Sequence, residues 1–273
     1  MQDLASLQEA CQGVEAVVHS AARVHIGWSD LAEQRAVNVE GARNVARAAR
    51  EAQAKLAHVS TVDALGVGQP GQPADEETPR EGKTPCSYVI SKREAEEAVL
   101  EEVQQGLHAV ILNPGFMLGP WDWKPSSGKM LIEVAKRFTP MAPTGGMTLC
   151  DVRDVAAGIL AALEKGRVGE RYILGGHPIS YLDAWKLFAQ VSGGSAPWFR
   201  MGPLIRVAAG GAGDLWGKLS GREPQVNSAA IGMSSLYHYY SSRKAETELG
   251  YHCREAEQSV RDAWRWFVEN QYV

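Results

Sequence analysis

Several features that would settle a function by themselves are scarce or missing in this sequence. Its 273 residues contain four cysteines, Cys11, Cys86, Cys150 and Cys253. None forms a CxxC pair and no Cys/His cluster has zinc spacing, which excludes a disulfide scaffold and a finger-type site; free thiols in a reducing compartment and no metal are expected. No apolar run approaches the ~20 residues of a spanning helix. The nearest, Pro203 to Trp216, is interrupted by Arg206, Asp214 and glycines. The first residues, MQDLASLQEACQG, carry acids and no apolar core, so they read as no signal peptide. Excess positive charge is missing too: 28 basic residues stand against 32 acidic, a net charge of −4. A cytoplasmic protein with no nucleic-acid and no membrane partner is expected.

What is present is the balance of a globular domain, 45% hydrophobic and 22% charged, in a chain long enough to bury a full core. Leu4, Leu7, Ala10 and Cys11 recur at helical spacing before Gly13. Glu15 to Ala22 reads as a short buried strand. A helix is expected over Leu31 to Gln53, with Val37, Val45 and Ala48 inward, and a second strand over Leu56 to Val62. Gln69 to Lys83 reads as a loop. Ser87 to Gln105 predicts a helix and His108 to Leu112 a third strand, stopped by Asn113-Pro114-Gly115. This alternation argues for an α/β protein with a parallel sheet and helices on both faces. Further helices are expected over 129–137, 155–164, 182–192 and 255–270, and a strand over Arg171 to Leu174. The stretch Gly193 to Pro224, rich in Gly and Pro, predicts no clear element. There is no internal repeat.

The sharpest candidate for chemistry is Tyr88-Val-Ile-Ser-Lys92. On a helix, i, i+4 spacing puts phenol and ammonium on one face. A free phenol titrates near ~10, and a nearby cation favours the phenolate. A tyrosine tuned this way can pass a proton at a carbonyl or carbinol oxygen. Ser60 and Thr61 stand at the end of the second strand, where open parallel sheets bind ligands.

These segments occur in a telling order: VVHSAA (17–22), NVEGARNV (38–45), VSTVDALG (59–66), YVISK (88–92), NPGFMLGP (113–120), DVRDVAAG (151–158) and GERYILGG (169–176). In that order the chain resembles the extended short-chain dehydrogenase/reductases, and most of all the dihydroflavonol-4-reductase-like and NAD-dependent epimerase/dehydratase proteins. The resemblance implies a Rossmann-like domain over 1–120 plus parts of 150–178, and a smaller mixed α/β substrate lobe from 121–150 and 179–273. It implies Thr61, Tyr88 and Lys92 as catalytic residues. Ala21, Ala22, Asn38, Ser60, Tyr88, Lys92, Pro114, Gly115, Phe116 and Met117 would contact the cofactor, NAD or NADP. A homodimer is implied by the same resemblance.

One family feature is missing. No GxxGxxG turn, which brings backbone N–H groups to the pyrophosphate, stands in the first half of the sequence. By the resemblance, the chain begins at the helix leading into the fourth strand. The sheet is therefore expected to be incomplete, lacking about three strands and two helices. A start assigned too late, or a truncated gene, is the expected reason, ahead of a partner chain that supplies the missing half, and the chain as written is expected to bind NAD(P)H weakly or not at all.

Two reactions fit the resemblance. One is reduction of a ketone or oxidation of a secondary alcohol on a small organic substrate. The other is epimerisation or dehydration of a nucleotide-linked sugar. Nucleotide-sugar members commonly carry an Arg where counting back from Asp154 places Met147, which favours the first. A third reading, of another class, is a non-catalytic remnant or binding protein. Trp121 and Trp123 would suit an apolar substrate mouth or pack the smaller domain. Trp198, Phe199, Trp216, Tyr237, Tyr239 and Tyr240 would line a pocket or pack a core.

Overall fold

The computed structural model describes all 273 residues. In chain order the first elements are α1 (Leu4–Ala10), β1 (Ala16–His19), α2 (Leu31–Gln34), α3 (Glu40–Glu51), β2 (Lys55–Val59), α4 (Ser87–Gln104), β3 (Ala109–Pro114) and β4 (Phe116–Leu118). They are followed by α5 (Ser127–Lys136), β5 (Met141–Ala142), β6 (Gly146–Asp151), α6 (Val152–Lys165), β7 (Arg171–Leu174) and β8 (His177–Ser180). The last are α7 (Tyr181–Ser192), β9 (Phe199–Arg200), α8 (Pro203–Ser220), α9 (Ser228–Ser234), α10 (Arg243–Leu249) and α11 (Ala256–Glu269). The helix expected over 31–53 forms as α2 and α3, joined by one π-turn at Arg35–Val39.

β1, β2, β3 and β7 make a parallel sheet in that order, with Val17 beside Leu56 and Ala57 beside Val110. The period-2 alternation of strands sorts its two faces. Leu56 and Ile111 pack under Val45, Ala49, Ala95 and Val99 of α3 and α4. Their neighbours Ala57, Val110 and Leu112 meet Val155 and Ala162 of α6 and Leu249 of α10. Because helices cover both sides, β3 is buried at every position. A separate core gathers Leu118, Leu131, Met147, Leu149, Phe188, Val260 and Phe267. There β6 pairs in parallel with β4 and antiparallel with β8.

α8 departs from the sequence expectation. Its glycines lower helix propensity, yet 18 residues are helical. Pro203 occupies the first turn, where its missing N–H costs nothing, and Gly221 closes the helix in the left-handed region at φ 69°. Gly210 and Gly213 leave room for the backbone at Ser228 and Val226 to pass against the helix. No helix is long and apolar enough to cross a membrane.

Candidate functional site

The site is built where β1, β2 and β3 end. Ser60 and Thr61 follow β2 directly. Thr61 is extended, and its hydroxyl accepts the Asp63 N–H at 3.2 Å, capping a single 3-10 turn over Val62–Ala64. The backbone carbonyl of Thr61 accepts from Asn113 Nδ2 at 2.8 Å. The same amide donates to Glu96 Oε1 at 2.8 Å, and Ser60 Oγ donates to that oxygen at 2.6 Å. Glu96 is fully buried, and its other oxygen takes Arg171 Nε at 2.8 Å and Arg80. A carboxylate in such a place must be paired, and here four donors hold it. Sequence reasoning missed Glu96, because nothing local in a charged stretch of helix marks one glutamate as buried.

α4 carries Tyr88, Lys92 and Glu96 on one face, one turn apart. Lys92 is buried, and its Nζ donates to Val59 O at 3.1 Å. Burial pushes its pKa down to about 8, with Glu96 opposing. An ammonium has three donors, so two remain for hydroxyl groups of a bound molecule. That donor set fits the ribose of a dinucleotide. Next to Lys92 lie His19 and His58, register partners on β1 and β2 with ring centroids 5.3 Å apart. Burial and Lys92 together hold both imidazoles neutral, His19 at about 4. Neither ring nitrogen of His58 has a partner.

The Tyr88 phenol does not follow the sequence expectation of a pKa lowered by Lys92. Burial pushes it up, the Asp63 carboxylate adds to the rise, and the Thr61 hydroxyl alone draws it down. The ammonium of Lys92 is instead engaged by the Val59 carbonyl. Asp63 belongs to a second buried cluster. Its Oδ1 lies 3.0 Å from Lys83 Nζ and 3.1 Å from His238 Nδ1, and Lys83 Nζ is 3.0 Å from the same nitrogen. His238 is anchored by Met233 O at 2.9 Å. Burial would raise the Asp63 pKa, but Lys83 and His238 hold it well below the usual carboxylate range. Lys83 in turn is pushed down by burial.

These groups border a cavity of about 490 Å³, a size suited to small molecules. Ala22, Ser60, Thr61, Tyr88, Lys92, Pro114, Gly115, Phe116 and Met117 all line it. Ala21 and Asn38 do not. Asn38 pairs with the backbone of Arg23, accepting its N–H at 2.7 Å and donating to its carbonyl at 2.9 Å, and so pins the loop after β1. The rest of the lining mixes apolar side chains, Val24, Ile26, Met130, Met147 and Met233 among them, with the hydroxyls of Ser20, Ser126, Ser127, Thr148 and Ser234. Its charged or titratable side chains are Lys92, Asp63, His238, Tyr88 and Tyr181. Trp121 and Trp123 are not among the lining residues, and Tyr240 takes the core place, one of the two expected for it. Trp123 packs edge-on against Trp266 at 4.9 Å, Trp121 is exposed, and Tyr240 is buried with its hydroxyl on Gly66 O at 2.7 Å.

The family model described as NAD dependent epimerase/dehydratase family matches residues 1–175. A protein of Synechocystis named putative dihydroflavonol 4-reductase is 34% identical over 275 residues, covering 98% of this chain and 80% of that one. The crystal structure of gox2253 superposes with a TM-score of 0.83 at 35% identity, over 98% of this chain and 83% of the other. That of PA4631, a nucleoside-diphosphate-sugar epimerase from Pseudomonas aeruginosa, gives 0.80 at 26% identity, over 100% and 82%.

Proposed function

The chain belongs to the NAD dependent epimerase/dehydratase family, and from that premise we propose that it is an NAD(P)-dependent oxidoreductase acting on a ketone or secondary alcohol of a small, largely apolar substrate. The observation that carries this reading is the lining of the cavity. Thr61, Tyr88 and Lys92 meet there with Val24, Ile26, Met130, Met147 and Met233, and no arginine is among the lining residues. Similarity to a protein named as a reductase supports the same direction.

Thr61 holds the substrate oxygen through its hydroxyl. Tyr88 passes a proton to that oxygen in reduction and takes it back in oxidation. A phenol pushed up by burial and Asp63 stays protonated, which suits the reductive direction. Lys92 would offer its two remaining donors to the ribose hydroxyls, and Pro114 to Met117, which line the same cavity, would flank the nicotinamide. When bound, the nicotinamide supplies or accepts the hydride at carbon. Apolar side chains on the substrate side keep water from the reacting oxygen.

A nucleotide-sugar substrate is the second reading, favoured by the likeness to the PA4631 epimerase. A diphosphate calls for cationic clamps, and among the lining residues the one lysine is Lys92 and there is no arginine. The test follows oxidation of NADH and NADPH with a panel of apolar ketones, and, by chromatography of the products, conversion of nucleoside-diphosphate sugars, whose epimerisation or dehydration consumes no net NAD(P)H. Ketones are expected to turn over, and Tyr88→Phe to lower kcat by at least ~100-fold. Undiminished turnover in Tyr88→Phe, turnover confined to nucleotide sugars, or none with any substrate would overturn the proposal.

A further inference from the structure

α8 turns an apolar half to solvent. Leu204, Ala208, Leu215 and Leu219 form one ridge along it, flanked by Val207 and Trp216. Leu204 is 85% exposed, Val207 77%, Leu219 76% and Trp216 64%. The helix is about 27 Å long at 1.5 Å per residue, so this is a continuous apolar stripe and not a scatter of single side chains. Its other side is occupied, since Gly210 and Gly213 receive the backbone leading into α9. Just before α8, Trp198 and Phe199 are also exposed.

The charge around the stripe is one-sided. From Gly193 to Arg222 the basic residues are Arg200, Arg206, Lys218 and Arg222, and the one acid is Asp214. Asp214 accepts the Ser228 N–H at 2.9 Å and is half-buried. Glu223, the next acid, is turned inward. Its carboxylate takes the N–H groups of Trp28 at 2.8 Å and Ser29 at 2.9 Å, and lies 2.8 Å from His25 Nε2. The outer surface of α8 therefore presents apolar area, an exposed tryptophan and cations, with no free carboxylate. The net charge of −4 for the whole chain hides this local balance.

We propose that the exposed face of α8 is a docking surface for an anionic lipid bilayer, on which the helix lies in the interface plane. Leu204, Leu215 and Leu219 enter the acyl boundary, and Trp216 sits at headgroup level. Lys218 reaches past the apolar ridge to the headgroups, and Arg200 and Arg222 add attraction from the two ends of the helix. The segment leading into α9, whose Ala230, Met233 and Ser234 line the cavity, packs on the opposite side of α8 and leaves the apolar face free. A second copy of the chain is the competing occupant, but two such faces would oppose the same cations to one another.

The test is co-sedimentation of the intact protein with phosphatidylglycerol vesicles and with phosphatidylcholine vesicles, at low and high salt. The protein is expected to pellet with phosphatidylglycerol, with a blue shift of tryptophan emission, and to be released by salt. Lys218→Gln/Arg222→Gln should weaken partitioning about tenfold or more. Leu204→Glu/Leu215→Glu/Leu219→Glu should abolish it while far-UV circular dichroism is unchanged. If the triple variant does not fold, the charge pair alone decides. Three results overturn the proposal: no preference of the wild type for phosphatidylglycerol, binding that survives both variants, or a wild-type dimer that the leucine substitutions dissociate.

Discussion

Replacing Glu96 by alanine removes the carboxylate on which Ser60, Asn113, Arg80 and Arg171 converge. The side chain is fully buried, so water cannot replace it. Ser60 and Asn113 lose a charged acceptor inside the protein, and two partly exposed guanidinium groups lose their partner. Deleting one member of a buried ion pair costs about 3–5 kcal/mol. For a chain of this size that is a fall in Tm of roughly 6–20 °C. Glu96→Gln keeps an acceptor oxygen for Ser60 and Asn113 but removes the charge, and should cost less, roughly 1–3 kcal/mol. Arg80→Ala and Arg171→Ala each remove one of two cations near the surface and should cost under ~1 kcal/mol. Urea denaturation of the four variants reads these values directly. If Glu96→Ala costs below ~1 kcal/mol, or Glu96→Gln costs as much as the alanine, then Glu96 is not the charged hub of this network.

Three further predictions concern Lys92, Glu223 and His58. Lys92 is held near 8 against 10.5 for the free side chain. Below pH 8 both states carry its proton and the burial cost is present in full; as pH rises from about 8 to 10.5 the native state has released the proton, the unfolded chain has not, and the cost fades. Lys92→Met should therefore stabilise the protein at pH 7, on the order of 3 kcal/mol less the lost Val59 hydrogen bond, with a gain that shrinks above pH 8; a constant or negative difference refutes this. For Glu223, burial acts to raise the pKa, but Ser29, His25 and the N–H groups of Trp28 and Ser29 hold it at about 2, against 4.5 for the free carboxyl. The stability it contributes is whole above pH 4.5 and lost as pH falls through about 2, so Glu223→Gln should flatten acid denaturation across that window, and an unaltered slope would count against the clasp. His58, buried with both ring nitrogens unpartnered, should be replaceable by Leu with a gain of roughly 1–2 kcal/mol in urea denaturation; a loss would mean the imidazole has a partner.

The strands and most helices were legible because their signals are local. The run at Ala16 to His19, the stop at Asn113-Pro114-Gly115 and the stripe on α11 are each written within one turn or one strand. Tyr88 and Lys92 were legible for the same reason, being four residues apart. Glu96 was not, because a glutamate in a mid-helix row of charges reads as solvated. What buries it comes from Asn113 on β3, Arg171 on β7 and Arg80 in a loop. The phenol shift was misjudged because four-residue spacing predicts proximity but not where the ammonium turns, and Lys92 turns to Val59 O. α8 was hidden by its composition. Glycine weakens a helix in isolation, but here it admits a neighbouring backbone, a gain that no propensity registers. The tryptophans at 121 and 123 show the converse, since aromatic content near a turn does not say which partner lies across the fold.

The cavity edge divides into groups the protein satisfies and groups it leaves open, and the division follows α4. Glu96, deepest on that face, has its acceptors filled by four side chains. One turn earlier, Lys92 has one acceptor for three donors and titrates low. One turn earlier still, Tyr88 has Thr61 against its hydroxyl and a carboxylate field from Asp63 that favours the neutral phenol. A core selected for stability alone would not bury an ammonium short of acceptors, since an apolar residue of the same length packs there at lower cost. Donors without a protein acceptor at a cavity wall are available to a molecule outside the chain. The filled hub at Glu96 and the open donors at Lys92 are then two parts of one arrangement. The first fixes the Ser60–Thr61 strand end through Asn113, and the second leaves donors on the cavity wall where the proposed cofactor would meet them.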